Sequence, residues 1–310
     1  MSKKKSPSPL KPMSKESIQM SQAKLMEYIS SQNFKSLEEI NEFFEKNVMG
    51  RRIDDLDFLK KKDKSNEDLS NDLMYEAYDI KGAKGIKLAK QALQLFPENV
   101  RALTYLADHE NDKSKALGLY QRAVDVGKNL LGEQFFKKHT GHFWGLSETR
   151  PYMNARKNYA DMLQTVQRDE EAIAEYQEMI KLNPNDNQGI RYSLSHILLK
   201  HKKYDQYHQL YLEYKDEATA FWLFNYALFV FATQGPSLKA FKALKAANAI
   251  NKHVLQFITG KRKIKSMPQG YYGIGDENEA TYYLMDNLHI WGELEGSLEW
   301  VFHFLENKSK

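Results

Sequence analysis

The sequence predicts an all-α protein arranged as about six antiparallel helix pairs that repeat along the chain. Three observations predict this fold class. Apolar residues recur at helical spacing in segments whose period is ~34 residues. Small residues, alanine above all, recur where the two helices of a pair would cross. No segment alternates apolar and polar residues between hairpin turns, so no strands are expected.

Composition limits the classes of protein to which this chain can belong. Its 310 residues are 42% hydrophobic, enough for a substantial core, and none is cysteine. Disulfides, thiol nucleophiles, iron–sulfur clusters and cysteine-containing zinc sites are therefore excluded, and we expect a cytoplasmic protein. The net charge of +4 resides in the first twenty residues, where five lysines accompany Glu16. The rest of the chain is neutral, which argues against a basic nucleic-acid-binding face.

The first 70 residues are predicted to precede the main domain. Residues 1–20 are basic and rich in proline, with no apolar stretch after the lysines, and indicate a disordered tail rather than a signal peptide. Residues 21–70 contain two amphipathic helical patterns, the second beginning after Ser36, which has capping-box spacing to Glu39. The polar stretch 60–71 indicates a linker. The main domain is thus expected over residues 71–306.

The clearest repeat runs over residues 153–186 and has the length of a tetratricopeptide repeat. Pro184 ends the unit because proline cannot continue a helix. Small residues at the crossing allow the two helix axes to approach closely. The repeat consensus adds the expectation of a right-handed superhelix. The predicted inward residues are Ala160, Leu163, Ala172, Tyr176 and Met179.

Weaker copies of the same pattern flank this repeat, and neighbouring copies are expected to bury each other's apolar faces. The longest apolar run, Phe221 to Ala232, spans 12 residues and contains Asn225. It falls short of the ~20 residues that a membrane-spanning helix needs, so no membrane association is expected. The weaker copies cover residues 73–98, 102–126, 189–214, 221–248 and 277–304.

A first insertion, residues 130–151, interrupts the period and contains a glycine- and aromatic-rich loop at 140–150. One interpretation makes this loop a binding site, since long loops in repeat proteins gather on one face. The favoured alternative is structural: Phe143 and Trp144 fill a gap between helices. In this structural interpretation, Glu148 and Arg150 also form an ion pair with each other. No HExxH motif accompanies the histidine, so no metal site is predicted. The candidate site residues here are His142, Trp144, Glu148 and Arg150.

A second insertion, residues 259–276, combines clustered cations with two tyrosines. Such a pattern can hold a phosphate backbone and stack bases, which makes residues 261–272 a candidate for weak nucleic-acid binding. The favoured interpretation is a solvated loop whose tyrosines, Tyr271 and Tyr272, dock on the last helix pair. Asp276 is expected to cap the following helix, with Glu279 completing a capping box. The cations of the loop are Lys261, Arg262, Lys263 and Lys265.

Several ordered segments carry a family resemblance. They include RALTYLADHE, KKYDQYHQLYLEYKDEATAFWLFNYALFVF and GDENEATYYLMDNLHIWGELEGSLEW. Together they resemble the C-terminal half of the suppressor-of-tumorigenicity-seven family over roughly residues 70 to 305. GHFWGLSETRPYMNAR and NPNDNQGIRY look closer still to its bacterial tetratricopeptide relatives. The resemblance implies a helical-repeat fold and no established catalytic activity.

The function predicted from these patterns is a noncatalytic interaction module. The sequence contains no GxSxG elbow, no GxxxxGK[ST] loop and no EF-hand loop, and no cofactor is predicted. We expect a peptide or partner protein to bind in the concave groove lined by the first helix of each pair. The alternative is an enzyme, or an enzyme's accessory, with its site at residues 140–150. Additional candidate binding residues are Asn158, Asn187 and Arg191.

Overall fold

The structure, a computed structural model, describes residues 13–60, 63–80, 82–264, 266–268 and 270–307. Within these ranges all regular structure is helical and there is no strand, which confirms the predicted all-α class. The chain divides into two compact units, with the boundary between Asn185 and Asp186. Three of the six predicted helix pairs lie in each unit.

The first unit consists of helices that pack in sequence. Helix α3 packs on α4, α5 on α6, and α8 on α9, and the second helix of one pair also packs on the first helix of the next. This is the packing of a helical repeat, in which neighbours bury each other's faces. The helices are α1 (Lys15–Ser31), α2 (Leu37–Asn47), α3 (Asn66–Ile80), α4 (Gly82–Leu95), α5 (Val100–Asp108), α6 (Lys113–Leu131), α7 (Glu133–His139), α8 (Arg150–Thr165) and α9 (Asp169–Leu182).

Small residues set the spacing of these helices, as the repeat pattern predicts. A side chain at Gly85 on α4 would place its Cβ only 2.2 Å from the hydroxyl of Tyr105 on α5. That hydroxyl donates to the carbonyl of Ala77 on α3 over 3.3 Å, so three helices meet at this glycine. The predicted inward residues of the clearest repeat are all buried: Ala160, Leu163, Ala172, Tyr176 and Met179.

Helix α1 belongs to the core of the first unit. The expected tail covered residues 1–20, of which 1–12 lie outside the described residues, but the chain is helical from Lys15. Met20 is buried in one cluster with Met74 and Ala77 of α3. The Ser17 hydroxyl donates to Asp79 over 2.8 Å, which adds a polar contact between the two helices. Serines on the buried face of α1 concealed this packing in the sequence.

The polar stretch expected to be a linker is partly helix. Helix α3 begins at Asn66, and Ser70, inside the expected linker, is fully buried. The Ser70 hydroxyl donates to the carbonyl of Ala92 and accepts from the amide of Asn99, each over 2.8 Å. Because both hydrogen-bonding partners are supplied by the fold, this serine is buried without an unsatisfied polar group.

The second unit also consists of consecutive helices. Helix α10 packs on α11 and α12 on α13, while α12 also packs on α10 and α15. Helix α12 is apolar on all sides, as expected for a helix surrounded by others. Across the described ranges, no helix is long and apolar enough to cross a membrane. The helices are α10 (Ile190–Lys200), α11 (Tyr204–Glu213), α12 (Ala220–Gln234), α13 (Leu238–Ile250), α14 (His253–Ile258), α15 (Glu277–Glu293) and α16 (Ser297–Asn307).

A buried polar network explains the single asparagine in the apolar run. The indole of Trp291 donates to the Tyr283 hydroxyl over 2.8 Å, and that hydroxyl donates to Asn225 over 3.1 Å. The Asn225 amide donates in turn to the Ser195 hydroxyl over 3.1 Å. Burial raises the pKa of Tyr283 well above its usual value, so it remains a donor. The network connects α10, α12 and α15 with paired polar groups.

Both predicted helix caps are present. The Ser36 hydroxyl accepts from the backbone N–H of Glu39, and the Asp276 carboxylate accepts from that of Glu279. The Glu279 carboxylate bonds differently from a capping box, accepting from the backbone of Gly275 over 2.7 Å rather than from Asp276. It also accepts from the backbone of Ala220 over 2.8 Å. This fully buried carboxylate therefore joins α12 to the start of α15.

Candidate functional site

The first insertion is mostly helical rather than a loop. Helix α6 continues to Leu131, and Gly132, at φ 75°, separates it from the short helix α7. Two 3-10 turns, Phe143–Gly145 and Ser147–Thr149, then lead directly into α8. Glycine suits the Gly132 position because residues with a side chain rarely adopt a positive φ. The part of the insertion outside α-helices thus spans mainly the residues between α7 and α8.

Phe143 is the aromatic residue that fills the interior of this insertion. It is fully buried, and its ring lies 4.9 Å from that of Phe136 and 6.3 Å from that of Tyr152. The hydroxyl of Thr149 donates to the Phe143 carbonyl and fixes the turn. Trp144, which the structural interpretation also placed inside, is only half-buried. The structural interpretation therefore fits Phe143 well and Trp144 only in part.

The polar candidates of this segment separate from one another. Arg150 lies over the Trp144 ring, 5.6 Å from its centroid, and does not form the expected pair with Glu148. Glu148 is exposed and accepts a long hydrogen bond, 3.5 Å, from Ser147. His142 is exposed. Of the four candidates, Arg150 is the one that also lines a recess.

This recess lies on the first helices of the repeat pairs in the first unit. It is a shallow recess that is open to solvent, its cavity volume is about 30 Å³, and it is lined by residues of α1, α3, α5 and the start of α8. We call it the arginine recess. Two arginines, Arg101 and Arg150, line it together with Tyr78. Glu16 is the carboxylate among the lining residues.

Arg101 carries a charge in a partly enclosed position. The pKa of its guanidinium is lowered, because the effect of burial exceeds the opposing effects of Tyr78 and Glu67. Arg101 makes no hydrogen bond or ion pair with any described residue. Burial likewise raises the pKa of Tyr78 above its usual value, so Tyr78 stays protonated and can donate a hydrogen bond. Arg101 therefore brings to the recess N–H donors that no acceptor among the described residues engages.

Sequence reasoning missed Arg101, Tyr78 and Glu16 as members of one site. They lie on three helices, and no motif spacing relates them. Arg101 stands at the start of RALTYLADHE, where the alanines and leucines carry the helical repeat pattern. Repeat register places Arg101 on the first helix of a pair, which is the one signal in the sequence that could have selected it.

Asn158 serves a contact within the first unit. Its amide donates to Asp108 over 3.0 Å, and the Tyr120 hydroxyl donates to the same carboxylate over 2.6 Å. Burial raises the pKa of Asp108. The residue predicted as a groove contact thus connects the end of α5 to α8.

Arg191, in the second unit, is held by its neighbours. It pairs with Asp186 over 2.9 Å and with Glu217, and its guanidinium lies 4.4 Å from the centroid of the Tyr192 ring. Asp186 also accepts from the backbone N–H groups that begin α10, which is a favourable place for a carboxylate. Asn187, the neighbouring candidate, is exposed. Arg191 therefore fixes the turn before α10.

The second insertion places its cations in different environments. Arg262 pairs with Glu277 of α15, and its guanidinium lies 3.1 Å from Nδ1 of His253 on α14. Lys261 and Lys263 are exposed, and Lys265 lies outside the described residues. One of the three candidate cations thus joins two helices rather than facing a ligand.

The two tyrosines of this insertion also differ. The ring of Tyr272 lies 5.6 Å from that of Tyr282 on α15 and 6.1 Å from that of Phe221 on α12. Tyr271 is 79% exposed. The expectation that the tyrosines dock on the last helix pair therefore holds for Tyr272 alone.

The described residues do not offer the ligand sets that metal ions need. Among these residues, no group of three or more histidine, aspartate or glutamate side chains is placed to hold a metal ion. No protein-family model matches the sequence, and no curated protein is detectably similar to it.

Proposed function

We propose that the protein is a noncatalytic interaction scaffold of the tetratricopeptide type, whose helix pairs form a right-handed superhelix. A peptide or partner protein binds along the first helices of the pairs in the first unit. The arginine recess carries this proposal, because α3, α5 and α8 all contribute to it. Repeat proteins commonly bind partners on the surface that such helices share.

The lining of the recess suits recognition of an extended or helical segment. It combines half-buried donors on Arg101 and Arg150 with the ring of Tyr78 and the apolar surface of Pro151. Binding sites of this kind use apolar surface for affinity and a few polar groups for orientation. No step of bond making or breaking is needed for such a role.

The alternatives have less support. An enzymatic site at residues 140–150 needs side chains that converge, and His142 and Glu148 are exposed outside the lining of the recess. Weak nucleic-acid binding through residues 261–272 has less support because Arg262 is already paired with Glu277. The resemblance to the suppressor-of-tumorigenicity-seven family and a cytoplasmic location remain part of this proposal.

Site-specific photocrosslinking tests the location of the binding surface. The crosslinking amino acid p-benzoylphenylalanine is placed at Gln19, which lines the arginine recess, and in a matched control at Lys115, which is exposed on α6. We expect a defined protein to be crosslinked through Gln19 and not through Lys115, and to bind the purified scaffold directly. Equal labelling at both positions, or labelling through Lys115 alone, would contradict the proposal.

A further inference from the structure

We propose that the arginine recess binds a carboxylate group of an acidic peptide segment, with Arg101 and Arg150 as its ligands. The inference rests on the proposed function and names the chemistry of the partner. It concerns a single recess in the first unit, lined by groups from four helices.

The first argument is the excess of donors. Two arginines and Tyr78 line the recess, whereas Glu16 is its one acidic lining residue. Arg101 has neither a hydrogen bond nor an ion pair to the described residues, and Arg150 donates only a long bond of 3.5 Å to the Trp144 carbonyl. Both guanidinium groups therefore keep most of their N–H groups available to an oxygen ligand.

The second argument is the contrast with two other half-buried arginines. Arg156 pairs with Glu175 over 2.5 Å, and Arg191 pairs with Asp186 and Glu217. Burial of an arginine is costly unless a carboxylate or similar group compensates it. The fold supplies that partner at these two positions and does not supply it at Arg101. A ligand that brings its own carboxylate completes the same arrangement.

The third argument concerns the type of anion. The planar guanidinium fork matches the two oxygens of a carboxylate, which it can bind with two parallel hydrogen bonds. Pro151 adds apolar surface beside Arg150, which favours an anion attached to a peptide over a small hydrated ion. We therefore assign the acidic side chains of a peptide rather than free phosphate.

Neighbouring acidic groups set the strength of the site. Asp108 already accepts from Tyr120 and Asn158, and Glu67 acts on Arg101 only at longer range. Glu16 shares the recess and competes with an incoming carboxylate. Neutralising Glu16 should thus strengthen binding, which a merely structural role of the arginines does not predict.

The test measures binding of synthetic peptides to the full chain by fluorescence anisotropy. The probe is labelled hexaglutamate with an amidated C-terminus, and hexaglutamine of the same design and sodium orthophosphate are the comparison ligands. We expect hexaglutamate to bind and hexaglutamine not to bind. The affinity should fall as salt is raised, since the contact is between charges. Orthophosphate should compete only weakly.

Three variants separate the recess from general charge. Arg101→Met and Arg150→Met should each weaken hexaglutamate binding about tenfold, because each removes a charge-assisted contact. Glu16→Gln should strengthen binding about threefold. The matched control is Arg122→Met, which removes an exposed arginine of α6 in the same unit and should leave affinity unchanged. Circular dichroism checks that each variant is folded.

Several outcomes would overturn the inference: no hexaglutamate binding, equal binding of hexaglutamine, stronger competition by orthophosphate, or equal losses in Arg122→Met and Arg150→Met. If Arg101→Met does not fold, the affinities of Arg150→Met and Glu16→Gln for hexaglutamate still test the inference. The proposed function is judged separately. A partner that crosslinks through Gln19 as well in Arg150→Met as in the parent supports the scaffold and refutes the carboxylate site.

Discussion

Replacement of Phe143 by alanine tests which aromatic residue holds the first insertion in place. The Phe143 ring is fully buried among Phe135, Phe136 and Tyr152, with centroid separations of 5.8, 4.9 and 6.3 Å. Removing a buried phenylalanine side chain costs about 3–5 kcal/mol, because both the transfer free energy and the packing are lost. We therefore expect Phe143→Ala to lower the free energy of unfolding by an amount in this range.

The matched variant is Trp144→Ala. Trp144 is half-buried, and Arg150 lies over its ring, 5.6 Å from the centroid. Because Trp144 keeps part of its surface exposed, its removal should cost less than that of Phe143, about 1–3 kcal/mol. Phe143→Leu, which keeps most of the volume, should cost no more than ~1.5 kcal/mol and controls for the change of residue itself.

Urea denaturation followed by circular dichroism measures these differences in the full chain. Trp144 is the only tryptophan before residue 186, so the difference spectrum between the parent and Trp144→Phe isolates its fluorescence. Acrylamide should quench that fluorescence measurably, as expected for an indole that is partly exposed. If Trp144→Ala destabilises the protein as much as Phe143→Ala, or the indole resists quenching, our assignment of the buried residue is wrong.

Three further predictions concern the core and one histidine. Met20→Ala should destabilise the protein by about 2–5 kcal/mol, because Met20 lies in the core cluster; an unchanged urea midpoint would mean that α1 is dispensable. Ala172→Leu should cost about 1–3 kcal/mol by overpacking a fully buried crossing, and a parent-like midpoint would contradict the repeat register. Burial lowers the pKa of His253, so the folded protein favours the neutral ring. Stability from this group is fully present above the unfolded pKa of ~6.5 and is lost as the pH falls through the folded pKa. Urea midpoints of His253→Gln should therefore fall less on acidification than those of the parent, and parallel curves would refute this.

Helical periodicity and alanine spacing were sufficient to predict the pairs of the repeat. Ala160 and Ala172 are both fully buried, because two helices can cross closely only where their side chains are small. This constraint is local, so it is visible in a window of one repeat. Both N-caps, at Ser36 and Asp276, were predictable for the same reason, since a cap involves residues only three positions apart.

Polar residues concealed other parts of the fold. Ser17 and Ser70 appear solvent-facing in the sequence, yet the structure buries both and supplies their hydrogen-bonding partners from distant segments. The position of α1 against α3 depends on these partners and on Met20. A single-residue pattern does not contain that information, because burial of a serine is acceptable only when the partner is present.

The candidate site shows the same division. Helical periodicity and the lack of cysteine predict an all-helical chain of repeated pairs without cysteine chemistry, because both are visible without knowing which segments meet in space. Which arginines have ion-pair partners depends on the packing of the helices. Arg191 and Arg262 are paired with carboxylates, whereas Arg101 lines a recess and has no ion pair with a described residue. An ion pair depends on distance and burial rather than on residue type, and these are set when helices from separate repeats pack together.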